Sequence, residues 1–522
     1  MGIRNMNRIA SISLTALMLF SVFSPNFNFI SVSAQTPDPI KIGIFAPFTT
    51  SGLSFYAPWT KQGFELGMIY ATTEMSYDNE NKTSAGRPYE LHYYDTKGDP
   101  TATASLATTA IETDGIDILV GGTYSSVAAA IGPIAEEYEK LYFICPAADS
   151  SLTGALFNPY IFRIARNTWH DAYAGVTYAM DYLNYTKFAF LAADYSFGYS
   201  GVESMSTVIN EKGGEVINTQ YAPLTTTDFG PYLTDLLTAD ASDDIEYLFV
   251  IWAGSFGSMY SDFLTYDIAS YMEISGACID ILSMNVIEAG MAGDATYEGT
   301  TGLCLYGYDL PNNAVNDWMV AQHVARNITP DAPFFTFEAP ELFTASAFAT
   351  AQFLVNVTNA IPDLDSGLMI NYLENGLLIG SPKGLTYLRP EDHQGLAEMY
   401  IAEAWNDTRN DSETYGYIIA KLVETLNRTL VAPPIESDYE PGGFAPITTT
   451  GTTTTSTTTD QGLTTTVEAT TSEISTTRES TTTPSTTSNP QSSIDSTTII
   501  MGGIITFEVL IAIIIIIRFR KS

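Results

Sequence analysis

From residue 39 to about 431, apolar positions fall into short solid runs bounded by turn residues, alternating with stretches at helical spacing. Residues 40–45 read as a buried strand, and 59–71 carry apolar residues every three or four positions, as an amphipathic helix does. A strand over 89–94 follows, then a helix over 101–111, a strand over 116–120, a helix from about 126 to 138 and a strand over 141–145. Pro133 lies inside that last helix and predicts a local break, so that its start reads as a short turn. After Arg163 the rhythm restarts, with strands over 187–192, 215–220, 247–252 and 274–279 and helices between them. Strands that alternate with helices pair in parallel, because each crossover returns the chain to the same edge of the sheet. The fold class is therefore α/β, with two doubly wound parallel-sheet lobes and a cleft between them.

Ligands of open α/β sheets sit beyond the carboxyl ends of the strands. Here those ends are 46–52, 95–100, 121–126, 145–150, 193–197 and 253–256, rich in Gly, Ser, Asp and aromatics. Ser125 and Ser126 open a helix, where a hydroxyl either caps the helix or donates to an anion held at the dipole's positive end. Tyr56 and Trp169 are candidates to close the cleft with aromatic area. The chain of 522 residues carries 59 acidic against 22 basic side chains, a net charge of −37. That balance excludes a general nucleic-acid binder, which needs a basic face. Three Cys exclude a disulfide scaffold, and four scattered His leave little material for a metal site. No nucleophile elbow, phosphate loop or His-Glu-x-x-His pair occurs, so the expectation is no catalysis, no metal and no cofactor.

The two ends speak for the cell surface. Arg4 and Arg8 precede an apolar stretch over 9–22, and Val32, Ser33 and Ala34 offer a cleavage site, which makes 1–34 a secretory signal. A short N-terminal membrane helix is the alternative. Residues 446–498 are nearly all Thr and Ser with occasional Pro, the composition of a disordered, O-glycosylated stalk. Asn-x-Ser/Thr sequons begin at Asn81, Asn184, Asn327, Asn356, Asn406, Asn410 and Asn427. Residues 499–517 form an apolar run of ~28 Å as a helix. Arg518, Arg520 and Lys521 follow it, which places 518–522 in the cytoplasm. Glu508 interrupts that run.

Six blocks of sequence, in order, carry a resemblance. They are Lys41-Ile-Gly-Ile-Phe-Ala-Pro-Phe-Thr-Thr-Ser-Gly52, Tyr94-Asp-Thr-Lys-Gly-Asp-Pro100, Gly121-Gly-Thr-Tyr-Ser-Ser126, Cys145-Pro-Ala-Ala-Asp149, Asp194-Tyr-Ser-Phe-Gly198 and Ala292-Gly-Asp-Ala-Thr-Tyr-Glu-Gly299. The chain resembles the leucine/isoleucine/valine-binding protein family, substrate-binding proteins of ABC transporters with the type I periplasmic binding fold. The resemblance implies two lobes joined by three crossovers, the first lobe 35–165 with 308–385 and the second 166–307 with 386–432. It implies a small amino acid, or a related zwitterion or amide, bound between closing lobes, with a permease and an ATPase as separate partner chains. A sensory ectodomain acting with a membrane partner is the alternative.

By the same resemblance Ser125 or Ser126 grips the ligand carboxylate, and Ala147 and Ala148 offer backbone groups. Phe197 and Trp252 supply pocket aromatics, and Asp280 receives the ligand ammonium. Asp149 stands where the family has a Thr hydroxyl, which favours a ligand presenting a cation or amide, unless Ser150 takes over the hydroxyl role. The family's first-lobe disulfide is replaced by Gly98 and Tyr124, so that loop needs another means of support. Cys278 and Cys304 are candidates to pair, and Cys145 reads as a buried thiol.

Overall fold

The computed structural model describes residues 37–49, 54–73, 82–83, 86–241, 244–254, 256–275, 284, 287, 297–326, 339–406 and 418–442. The signal segment, the Thr/Ser stretch, the apolar run 499–517, Cys278 and Asp280 lie outside the described residues. Among the described residues no helix is long and apolar enough to cross a membrane.

The first sheet has five parallel strands. β1 (Ile40–Ala46) is flanked by β2 (Tyr89–Asp95) and β3 (Ile118–Gly121), and β4 (Tyr142–Ile144) and β5 (Ile161–Arg163) extend the far side. All but one residue of β1 are buried, as a central strand covered on both faces requires. Edge strand β2 has no buried residue. Helices α1 (Ala57–Thr73), α2 (Pro100–Glu112) and α3 (Ser125–Glu137) are the crossovers. Asp99 caps α2 by accepting from the amides of Thr101 and Ala102, with Pro100 at the first helical position. α3 runs unbroken through Pro133, contrary to the expected break. Its ends are held by packing, since Val127, Ala128, Ile131 and Ala135 are all fully buried.

α4 (Thr168–Thr177) leads into the second sheet, β7 (Glu215–Ala222), β6 (Lys187–Ala193), β8 (Tyr247–Ile251) and β9 (Glu273–Ile274), all parallel. α5 (Ser196–Glu211), α6 (Gly230–Ala239) and α7 (Phe256–Thr265) cover it. The predicted strand over 274–279 is thus short in the described residues. β10 (Thr301–Cys304), with Cys304 buried, joins a later antiparallel pair, β14 (Met399–Asn406) and β15 (Ile418–Leu426), that the strand-helix rhythm does not single out.

Between them, α8 (Ala314–Ala325), α9 (Leu342–Ala360) and α10 (Ser366–Leu373) precede a small sheet of β11 (Leu378–Ser381), β12 (Gly384–Leu388) and β13 (Gly395–Leu396). α9 lies directly on α1. An added Cβ at Gly63 would stand 2.2 Å from the Thr344 carbonyl oxygen, and one at Gly67 2.5 Å from that of Phe348. Glycines four apart fall on one helix face, and here they allow backbone contact. Segment 386–396, assigned above to the second lobe, instead packs with the first. Leu388 is in its core beside Ile379 and Phe162, and Gln394 bridges to Arg163.

The expected substitute for the family's disulfide is a ring packed on a glycine. Gly98 has φ +72°, and a Cβ built there would stand 2.8 Å from Tyr124 Cε2. Gly98→Ala combines a strained backbone with that clash, so we expect a loss of about 1–3 kcal/mol by urea denaturation. Gly115→Ala, at φ +70° with nothing near its Cβ, reports the backbone part alone and should cost distinctly less.

Candidate functional site

A cleft of about 850 Å³ of empty space, its open mouth included, lies between the carboxyl ends of the two sheets. One wall comes from the first sheet's loops through Thr123, Ser125, Pro146, Ala147 and Ala148. The other comes from Tyr195, Phe197 and Trp252 at the ends of β6 and β8. Tyr56 stacks on Phe343 at 4.0 Å between ring centroids, and Tyr124 meets Tyr195 edge-on at 6.0 Å. Burial pushes the Tyr195 hydroxyl far above its ordinary pKa, so it stays a neutral donor.

The charged part of the cleft was not foreseen. Arg166 and Asp171 both line it, each side chain 10% exposed, with Nε and Oδ1 3.3 Å apart. Neither of these two atoms has an aligned hydrogen bond among the described residues, while Arg166 Nη1 donates to the Pro146 carbonyl at 3.4 Å. Burial raises the Asp171 carboxyl pKa, and the charges of Arg166, Lys383 and Arg163 pull it back. Thr123 Oγ1 and Trp252 Nε1 are likewise buried without a partner among the described residues. Buried polar atoms are nearly always satisfied, so four unsatisfied ones around one cleft mark where a polar ligand would fit.

Of the residues expected from the sequence, Ser125, Ala147, Ala148, Phe197, Trp252 and Tyr56 line the cleft together. Ser126 does not; one position on, it points about 100° further round α3 and is half-buried. Trp169 packs against the core of the second sheet rather than the cleft. Asp149 is corrected too. Its Oδ1 accepts from the Ser151 amide at 2.9 Å, capping the short turn Ser150–Thr153, while its own amide donates to Ser125 Oγ at 3.2 Å. The carboxylate is thereby spent on its own loop. Ser150 is no substitute hydroxyl either, since its amide and Oγ both meet Ser200 Oγ at 3.0 Å, a polar contact between the lobes. Cys145 is the buried thiol expected, its pKa pushed up by burial to about 12.

The loop of Ala147 and Ala148 is shaped from below by Arg163. This fully buried guanidinium donates to the Asp149 carbonyl at 2.5 Å, to Thr153 Oγ1 at 2.5 Å and to Gln394 Oε1 at 2.8 Å. Among the described residues no cluster of three or more His, Cys, Asp or Glu could hold a metal.

The sequence matches the periplasmic binding protein family over residues 39–410. The chain belongs to that family. As a periplasmic binding protein it is 26% identical over 241 residues to the Leu/Ile/Val-binding protein homolog 6 of Brucella abortus. The match covers 45% of this chain and 56% of that protein, so the chain spans about half the length of the curated relatives it matches. The structure of an ABC-type branched-chain amino acid transporter from Rhodopseudomonas palustris CGA009 is 28% identical, with a TM-score of 0.60, covering 77% of this chain and 100% of that one. A solute-binding protein from Rhodopseudomonas palustris HaA2, in complex with p-hydroxybenzoic acid, is 20% identical with a TM-score of 0.62, covering 75% and 98%. This last likeness is one of fold.

The start of α4 gives this binding protein a pH dependence. His170 is fully buried, and the Asn167 amide donates to its Nδ1 at 3.2 Å in the helix's capping box. Burial first, then the charge of Lys383 and of neighbouring arginines, holds its pKa well below the usual value. The unfolded chain takes up a proton near pH 6.5 that the folded ring refuses, so stability falls as pH falls below that point. We expect His170 to cost up to about 1.4 kcal/mol per pH unit between pH 6.5 and 5, in urea melts. His170→Gln should flatten that slope; an unchanged slope would show that the ring is not the group responsible.

Proposed function

We propose that this chain is a surface-anchored solute-binding protein that captures a small amino acid and delivers it to an ABC-type importer. The observation that carries the reading is the Arg166–Asp171 pair, opposite charges inside an aromatic-walled cleft whose facing atoms, Nε and Oδ1, are buried without an aligned hydrogen bond among the described residues. A zwitterion satisfies both at once. Its carboxylate would take Arg166 with the hydroxyls of Ser125 and Thr123, its ammonium would take Asp171, and its side chain would lie against Phe197, Trp252 and Tyr56. Binding across the cleft closes the lobes, with permease and ATPase on separate chains. No chemistry is performed on the ligand.

An aromatic carboxylic acid is the second reading, favoured by the density of rings around a single arginine. Two variants separate the two in a thermal-shift titration. Arg166→Gln should weaken any carboxylate about tenfold or more. Asp171→Asn should weaken amino acids similarly but leave benzoate-class acids unchanged. Should Asp171→Asn bind its amino acid as tightly as wild type, the zwitterion reading is lost. For scale, a ligand at 100 times its dissociation constant adds about 2.7 kcal/mol to stability.

The anchoring part of the proposal rests on 446–498 as a glycosylated spacer and 499–517 as the span. Deleting 499–522 should release the protein from membranes into a carbonate wash. Retention in the membrane fraction would place the anchor elsewhere.

A further inference from the structure

A second, smaller cavity lies behind the cleft and shares Arg166 and Leu342 with it. It offers about 420 Å³ of empty space, its opening to solvent included, near the point where the chain passes between the lobes. Arg166 comes from the link between β5 and α4, Lys383 from the turn between β11 and β12, and Met399 from the start of β14. The other polar lining is hydroxyl, from Ser346, Ser381 and Thr386. No carboxylate lines it.

Lys383 is the unusual member. Its Nζ meets only a thioether, Met399 Sδ at 3.6 Å, and the face of Tyr400 at 5.6 Å. Among the described residues no carboxylate lies within ion-pair distance of it. The negative charge felt by Lys383 comes from beyond that distance, from Asp171, already paired with Arg166, and from Glu398. Burial brings the Lys383 pKa down to about 8, with the Arg166 charge adding to the effect. At neutral pH the ammonium is still largely charged. Two cations therefore face one space in which Asp171 pairs with Arg166, and Lys383 keeps no ion-pair partner among the described residues, a charge imbalance that a bound anion would relieve.

We propose that this cavity binds a small inorganic anion of the halide class, held between Lys383 Nζ and the Arg166 guanidinium. Hydroxyl donors and two cations suit a chloride-sized ion, which asks for no directed acceptor. The cavity adjoins the cleft through Arg166, so the anion and a ligand carboxylate draw on the same guanidinium. Their affinities are linked, and by reciprocity each changes the other by the same factor.

The test uses the full chain, monitored by tryptophan fluorescence, at constant ionic strength with chloride exchanged for gluconate, a bulky organic anion rather than a single-atom one. We expect the thermal midpoint to rise by about 1–3 °C as chloride replaces gluconate, with bromide acting likewise. Lys383→Met should abolish the dependence while keeping the midpoint in gluconate, since the methionine carries no unpaired charge. Crystals of the wild type grown in bromide should show an anomalous peak in the cavity, a result independent of whether the variant folds. Equal midpoints in chloride and gluconate, an unaltered dependence in Lys383→Met, or a bromide peak found only at the surface would each overturn the assignment.

Discussion

The arrangement of this protein turns on one buried guanidinium. Arg163 ends β5 with no exposed surface, and burial lowers its pKa to about 9. Such a charge is tolerable only if its donors are used, and here they reach two carbonyl or amide oxygens and a hydroxyl on two different segments. One is the loop after β4 that forms a wall of the cleft. Another is Gln394, whose own amide donates to the Ala165 carbonyl at 2.7 Å. A single side chain thus fixes the cleft wall, the turn that Asp149 caps, and the point where the chain passes between lobes. Lysine could not replace it, because its compact ammonium lacks the planar fork that spans partners so far apart.

Much of this fold was legible because parallel strands buried on both faces make continuous apolar runs. Ile40, Ile42 and Ile44 alternate with residues that are also covered, and burying each isoleucine is worth about 1.5–3 kcal/mol. The pattern failed where that physics changes. β14 and β15 are antiparallel, and Trp405, Leu422 and Val423 on them remain well exposed. Apolar residues there fall on covered and open positions alike, since Ile401, Ala402 and Ala404 are core, so the run alone does not mark which side is buried. β5 and β13 are so short, three and two residues, that no period can be read from them.

The site shows the same division. Strand ends and helix starts marked the segments that hold Ser125, Ala147, Ala148 and Phe197, positions the topology brings together, and the family resemblance singled out the residues within them. Arg166 and Asp171 sit on an irregular link and the first turn of α4, where nothing in spacing distinguishes a cleft-facing ion pair from solvated charge. Asp149 shows the reverse error. Its type and place suggested ligand contact, yet an aspartate ahead of a short turn has a local partner within two residues, and that hydrogen bond forms. Local capping needs no tertiary structure to be available, so it was the stronger prior.

Charge sets the terms of recognition. A chain of net charge −37 repels a carboxylate at long range, but salt screens that repulsion within about 8–10 Å of the surface. Recognition must then be made at contact, by cations already stripped of water. Arg163, Arg166 and Lys383 are just such groups, concentrated where the lobes join. Arg163 is fully engaged by protein oxygens and shapes the wall without taking part. Arg166 is held by Asp171 at 3.3 Å and by one long hydrogen bond from Nη1 to the Pro146 carbonyl at 3.4 Å, so little has to break for it to turn toward an incoming carboxylate. An ion pair kept out of alignment is therefore a better receptor than a tightly closed one, because the desolvation of both charges is already borne by the fold and the ligand supplies the missing hydrogen bonds.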